Sequence, residues 1–239
     1  MTIARLVAVS IDSSDPLALA GFWAAALGWD RVVDDDHVEL RPTDPTTFTI
    51  RFLHTDTAKP AQNRIHVDLT TRSADDQADS VATLVAAGGR HVDIGQRPDE
   101  THVVLVDPEG NELCVIEPTN RFLASCPRLG AVNCDGTHAL GVFFSRVLGW
   151  PLVWDHDEET AIQHPDGTGP KITWSGPPLM PRPPRERFHL HLAPVAGADV
   201  ARTVDDLVAL GATVDHSMAC PGAVGIRDVD GNHVCVEPG

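Results

Sequence analysis

Asp107-Pro108-Glu109-Gly110-Asn111-Glu112-Leu113-Cys114-Val115 returns near the end of the chain as Asp228-Val229-Asp230-Gly231-Asn232-His233-Val234-Cys235-Val236. Each copy opens with hairpin-turn chemistry, in which the glycine takes a positive φ, and passes into an alternating strand. Working outward, three more pairs keep the same order. Leu6-Val7-Ala8-Val9-Ser10-Ile11-Asp12 matches Leu129-Gly130-Ala131-Val132-Asn133-Cys134-Asp135, and Phe22-Trp23 through Leu27-Gly28-Trp29 matches Phe143-Phe144 through Leu148-Gly149-Trp150. Arg64-Ile65-His66-Val67-Asp68-Leu69 matches Arg187-Phe188-His189-Leu190-His191-Leu192. The offset stays at about 121 to 123 residues, so the chain reads as a tandem duplication with domains 1–119 and 120–239 and a boundary near Pro118 to Pro127.

Within each half the pattern is strand, helix, several strands, then the same again. Asp15-Pro16 opens a helix whose apolar face is Leu19, Phe22, Trp23, Ala26 and Leu27, and Gly28 ends it. A second helix starts at about Ala74, with Ala78, Val81, Leu84 and Val85 on one face, and stops at Gly88-Gly89. Its counterpart uses Val200, Val204, Leu207 and Val208 before Gly211. The proline-rich stretch from Pro177 to Pro184 reads as a loop between sub-units of the second half.

Hydrophobic residues at 42% and charged residues at 22% place the chain among globular proteins. A formal charge of −16 with 18 scattered Lys and Arg argues against nucleic acid or an anionic membrane as partner. No apolar run reaches the roughly 18 residues of a membrane span, and the first residues show no signal-peptide pattern. The expectation is a cytoplasmic protein, with a homodimer left open. Cys114, Cys126, Cys134, Cys220 and Cys235 make an odd number without CxxC spacing, so reduced thiols are expected.

Strand alternation sorts the remaining residues into two faces. Ile65, Val67 and Leu69 should lie under the helices, which leaves Arg64, His66 and Asp68 on a pocket face. Phe188, Leu190 and Leu192 likewise leave Arg187, His189 and His191. Glu112 and Cys114 share one face, as do His233, Cys235 and Glu237, and the first strand offers Ala8 and Ser10. Trp174, in a strand with polar neighbours, is a further pocket candidate.

Together these motifs resemble the glyoxalase, bleomycin-resistance and extradiol-dioxygenase (vicinal oxygen chelate) superfamily, in its glyoxalase-like branch. The resemblance covers nearly the whole chain. It implies an α+β fold of tandem glyoxalase-like domains, with four βαβββ units whose curled mixed sheets form cups. It leaves open whether cups form within or between the repeats.

Metal-dependent members of the superfamily use four ligands, a His or related group on the first strand of each paired unit and a Glu on the last. At such positions this chain has Ala8, Arg51, His66 and Cys114, then Ala131, a residue around Ile172 to Trp174, His189 and Cys235. The implied metal site is therefore expected to be lost, with no cofactor. His189, His191, His233 and Glu237 remain an open alternative set of ligands.

The leading reading is a protein that binds or sequesters a small organic anion through Arg64 and Arg187. One alternative is a lyase, isomerase or hydrolase using His66 or His189 as acid or base. Another is a metal-dependent dioxygenase or lyase.

Overall fold

The alternation that opens the chain becomes β1 (Ala4–Ser13), which runs into α1 (Pro16–Leu27). Asp15 caps α1 by accepting from the Ala18 amide, Pro16 fits the first turn, and Gly28 ends the helix at φ 73°. β2 (Asp30–Val33), β3 (Val38–Arg41) and β4 (Thr49–His54) complete a first βαβββ unit. The second unit is β5 (Ile65–Leu69), α2 (Ala74–Ala86), β6 (Arg90–His91), β7 (Val103–Val106) and β8 (Glu112–Val115). The third is β9 (Leu129–Cys134), α3 (His138–Leu148), β10 (Leu152–His156), β11 (Glu159–Gln163) and β12 (Lys171–Trp174). The fourth is β13 (Phe188–Pro194), α4 (Val200–Ala209), β14 (Thr213–Val214), β15 (Val224–Arg227) and β16 (His233–Val236). This is a computed structural model, and it describes residues 2–97, 99–183, 185–217 and 222–239. Pro184 and Cys220 lie outside the described residues.

The units pair across the repeats. One eight-stranded sheet has the order β14-β15-β16-β13-β1-β4-β3-β2, joining the fourth unit to the first. The other, β10-β11-β12-β9-β5-β8-β7-β6, joins the third to the second. Each seam is an antiparallel pair, β1 with β13 and β5 with β9. The two curled sheets give a terminal cup (first and fourth units) and a central cup (second and third). The larger apolar core draws on both sheets and includes Trp23, Phe52, Phe144, Trp174 and Phe188, and a smaller cluster gathers Val104, Cys114, Ile116, Leu123, Cys126 and Ala131. Among the described residues, no helix is long and apolar enough to cross a membrane.

The two repeated turns bind the sheets to each other. Asp107 shapes its turn by accepting from the Glu109 and Asn111 amides, and also takes the Trp23 indole N–H at 3.0 Å. That geometry holds the Glu109 carboxylate over the start of α1, where it accepts from the Ser13 hydroxyl and the Ser14 and Asp15 amides. In the other turn, Asp230 accepts from the Thr137 amide and hydroxyl at the start of α3. Each turn thus places a carboxylate at a helix start packed on the opposite sheet, where backbone N–H groups are unpaired.

Cys114, Cys126 and Cys134 are buried free thiols, whereas Cys235 is disulfide-bonded, which corrects the expectation of reduced thiols at that position.

Candidate functional site in the central cup

The register of the central seam builds the cup floor. Asp68 stands opposite Ala131 and beside Cys114, His66 stands opposite Asn133, and Asn133 stands beside Thr173. His66 Nε2 lies 3.4 Å from Asp68 Oδ1. One donor atom each from His66, Asp68 and Cys114 fall within 4.8 Å of one another. Burial would lower the His66 pKa, but contact with Asp68 and Cys114 overcomes it, and the imidazole is pushed up to about 10. Burial pushes the Cys114 thiol up as well. At neutral pH the floor therefore carries an imidazolium–carboxylate pair beside a neutral thiol.

Above this floor is a cavity of about 380 Å³. Asp68, Asn133 and Thr173 lie at its base, with Ile116, Phe122 and Trp154 among its walls. The segment between the repeats folds over the cup and supplies Asn120, Phe122 and Leu123. Phe122 meets Trp154 edge-on at 5.9 Å, and the Lys171 ammonium sits 3.9 Å over the Phe122 ring while donating to the Phe122 carbonyl. A separate crevice between the sheets, with about 20 Å³, has room for little more than a water.

Other residues singled out from sequence lie elsewhere. Arg64 donates to the carboxylate and carbonyl of Asp135 and to Asn232 in the opposite sheet. Arg187 donates to the Asp12 carbonyl and stands 3.7 Å from Glu109. Both guanidiniums are buried at the sheet junction. Glu112 is bound by Lys59 at 2.5 Å and by the Asn63 amide. Trp174 borders the cavity, but its ring stacks on Phe144 in the core at 5.5 Å.

In the terminal cup, His189 stacks on His233 at 5.6 Å and lies 3.7 Å from Asp12. Burial, together with the neighbouring His189 and Arg227, depresses His233 to about 4. His191 lies between Ser10 and Glu237, at 2.8 Å and 3.3 Å. Glu237 also pairs with Arg51, which in turn reaches Glu39.

Sequence reasoning missed the two aromatic walls. Phe122 lies in a segment without periodicity. A register shift between Leu152 and Trp154 breaks the alternation that would have marked Trp154.

Two open, curled mixed sheets built from four βαβββ units, one with a cavity over its floor, define the vicinal oxygen chelate class of fold. A family profile described as "Glyoxalase-like domain" matches residues 8–116 and again 131–237. The chain belongs to that family. Glyoxalase I from Zea mays superposes with a TM-score of 0.63 at 14% identity, covering 98% of this chain and 92% of that one. Its V278E mutant gives 0.66 at 15%, with coverage of 98% and 92%. A putative dioxygenase from Bacillus subtilis gives 0.62 at 14%, with coverage of 99% and 86%. At these identities the likeness is one of fold. Among curated proteins, none matches the sequence.

Cross-repeat pairing regroups the positions at which metal-dependent relatives would hold an ion. The central cup has His66, Cys114, Ala131 and Thr173, and the terminal cup has Ala8, Arg51, His189 and the disulfide-bonded Cys235. Alanine offers no donor, Arg51 is a cation, and a disulfide sulfur is no thiolate ligand. Neither set fits a four-ligand site. The closer trio of His66, Asp68 and Cys114 would bind an ion only by giving up the imidazole and thiol protons.

Proposed function

We propose that the chain binds a small organic molecule in the central cup without a metal ion, and holds it rather than transforming it. The observation supporting this is the cavity of about 380 Å³ between aromatic walls and a short polar floor. Phe122 and Trp154 offer ring faces and edges to a flat ligand, while Asp68, Asn133 and Thr173 can fix its polar edge.

The preference for an anion rested on Arg64 and Arg187, and both guanidiniums are engaged at the junction. The cavity itself is bordered by Asp68 and Glu159, and the charge of His66 is matched by Asp68. A neutral or cationic aromatic molecule suits this lining better, and the overall charge of −16 attracts a cation. The test is a tryptophan-fluorescence and thermal-shift titration of chelator-treated protein with 1-naphthylmethylamine and with 1-naphthoate. The amine should bind more tightly, and Trp154→Ala should weaken it about tenfold. Equal binding of the acid, or no effect of the substitution, counts against the reading.

One observation favours a second reading as an enzyme. His66, protonated and 3.4 Å from Asp68, could serve as a general acid toward a ligand held by Asp68, which does line the cavity. Turnover of a bound ligand, abolished in His66→Gln, would support it.

A further inference from the structure

The polar groups on the floor of the central cup differ in what they can exchange with a ligand. Asp68 on β5 stands opposite Ala131 on β9, and His66 stands opposite Asn133, so Asp68 and Asn133 are diagonal neighbours across the seam. Such positions lie roughly 7 to 8 Å apart, within reach of one small molecule. Ala131 ends in a methyl that cannot pair with the Asp68 carboxylate. His66 does pair with it, Nε2 lying 3.4 Å from Oδ1, and the carboxylate leans along its strand toward the row that holds Asn133. Val132 and Cys134, on either side of Asn133, belong to the larger apolar core, while Asn133 itself lines the cavity. Its amide makes no side-chain hydrogen bond among the described residues.

A carboxylate only accepts hydrogen bonds, whereas the Asn133 amide carries an N–H2 donor as well as an acceptor oxygen. A ligand edge made of acceptors alone would set its lone pairs against Asp68. An edge made of donors alone would cover the Asn133 N–H2 without pairing it, and a donor buried unpaired costs more than an ordinary hydrogen bond returns. An N–H beside a carbonyl meets both demands, with the N–H donating to Asp68 and the carbonyl oxygen accepting from Asn133. Such an edge is neutral, which suits a cavity bordered by Asp68 and Glu159 and lined by neither Lys nor Arg among the described residues.

We infer that the central cup recognises a flat cyclic amide, an aromatic ring system with a ring N–H next to a ring carbonyl; the inference rests on the reading of this cup as a binding site. The rings pack against Phe122 and Trp154, and the amide edge points down to Asp68 and Asn133. About 380 Å³ of space falls in the range of pockets that hold small ligands.

The test is isothermal titration calorimetry of the chelator-treated full chain with quinazolin-4(3H)-one, quinazoline and 1-naphthylmethylamine. Quinazoline keeps the two fused rings and lacks both the N–H and the carbonyl. The cyclic amide should bind at least about tenfold more tightly than quinazoline. Asn133→Leu should weaken the cyclic amide about tenfold and leave quinazoline within about twofold. Equal affinity of wild type for the two ring systems, or a cyclic-amide affinity unchanged in Asn133→Leu, overturns the inference. If 1-naphthylmethylamine still binds and Trp154→Ala still weakens it, the cup survives that failure as a binding site. If neither the amine nor the cyclic amide binds, both readings fall. The wild-type comparison decides the matter even if Asn133→Leu misfolds.

Discussion

Whether a histidine beside an aspartate is a base, an acid or a structural contact depends on its proton, and His66 makes the dependence measurable. Its folded pKa lies near 10, above the ordinary 6.5. The stabilisation from its pair with Asp68 is therefore complete below about pH 6.5 and is lost as pH rises toward 10. Urea denaturation across that window should show a loss on the order of 1–3 kcal/mol, after allowing for solvent around the half-buried ring, and His66→Gln should flatten it. A wild-type profile already flat from pH 6.5 to 10 would contradict the assignment. Arg64 belongs to the same scale. Removing it takes the cationic partner from the Asp135 carboxylate and the donor from Asn232 Oδ1, so Arg64→Ala should destabilise the chain by about 3 kcal/mol. A lost ligand affinity at unchanged stability would instead return Arg64 to a binding role. The facing of His66, Asp68 and Cys114 was legible because Ile65, Val67 and Leu69 fix the alternation around them. The fate of Arg64 was not, since it begins the strand and its partners come from two distant segments.

At the scale of elements, the repeated turns do more than reverse the chain. Their hairpin chemistry was readable from Gly110 and Gly231, which adopt φ 86° and 77°. Their docking on α1 and α3 was not, because Glu109 and Asp230 meet groups more than ninety residues away. Burial would raise the Glu109 pKa, but bonds from Ser13, Ser14 and Asp15 lower it overall. Its contribution is thus present above the ordinary value of 4.5 and is lost as pH falls through its lowered pKa. Glu109→Gln should cost about 1–2 kcal/mol at pH 7, with the gap to wild type closing in acid. A difference that persists unchanged at pH 3 would point to packing rather than charge. The helices themselves were legible from cap chemistry at Asp15, Gly28 and Gly149.

The duplication was plain in the sequence, yet it could not say which unit pairs with which. Equivalent strands carry equivalent patterns, so β1 could have met β5 as readily as β13. The pairing that the fold adopts makes each sheet from both repeats, and residues 1–119 alone would leave β1 and β5 without β13 and β9. Two such unpaired edges should drive that fragment to dimerise or aggregate, as read by size exclusion with light scattering. A folded monomer of 1–119 would contradict this. Pairing also decides what the cups are made of. The central cup sets His66 and Asp68 against Asn133 and Thr173 beneath Phe122 and Trp154, while the terminal cup sets Ser10 and Arg51 against His191 and Glu237. The central claim is that the first of these floors lies under a working, metal-independent binding site. A crystal structure of the chelator-treated chain, soaked with a set of small aromatic amines and acids, tests it most directly. The account predicts a fragment packed against Phe122 and Trp154 with its polar edge on Asp68, Asn133 or Thr173. A cavity that stays empty at saturating fragment, or fills only after a metal ion is added, would contradict it.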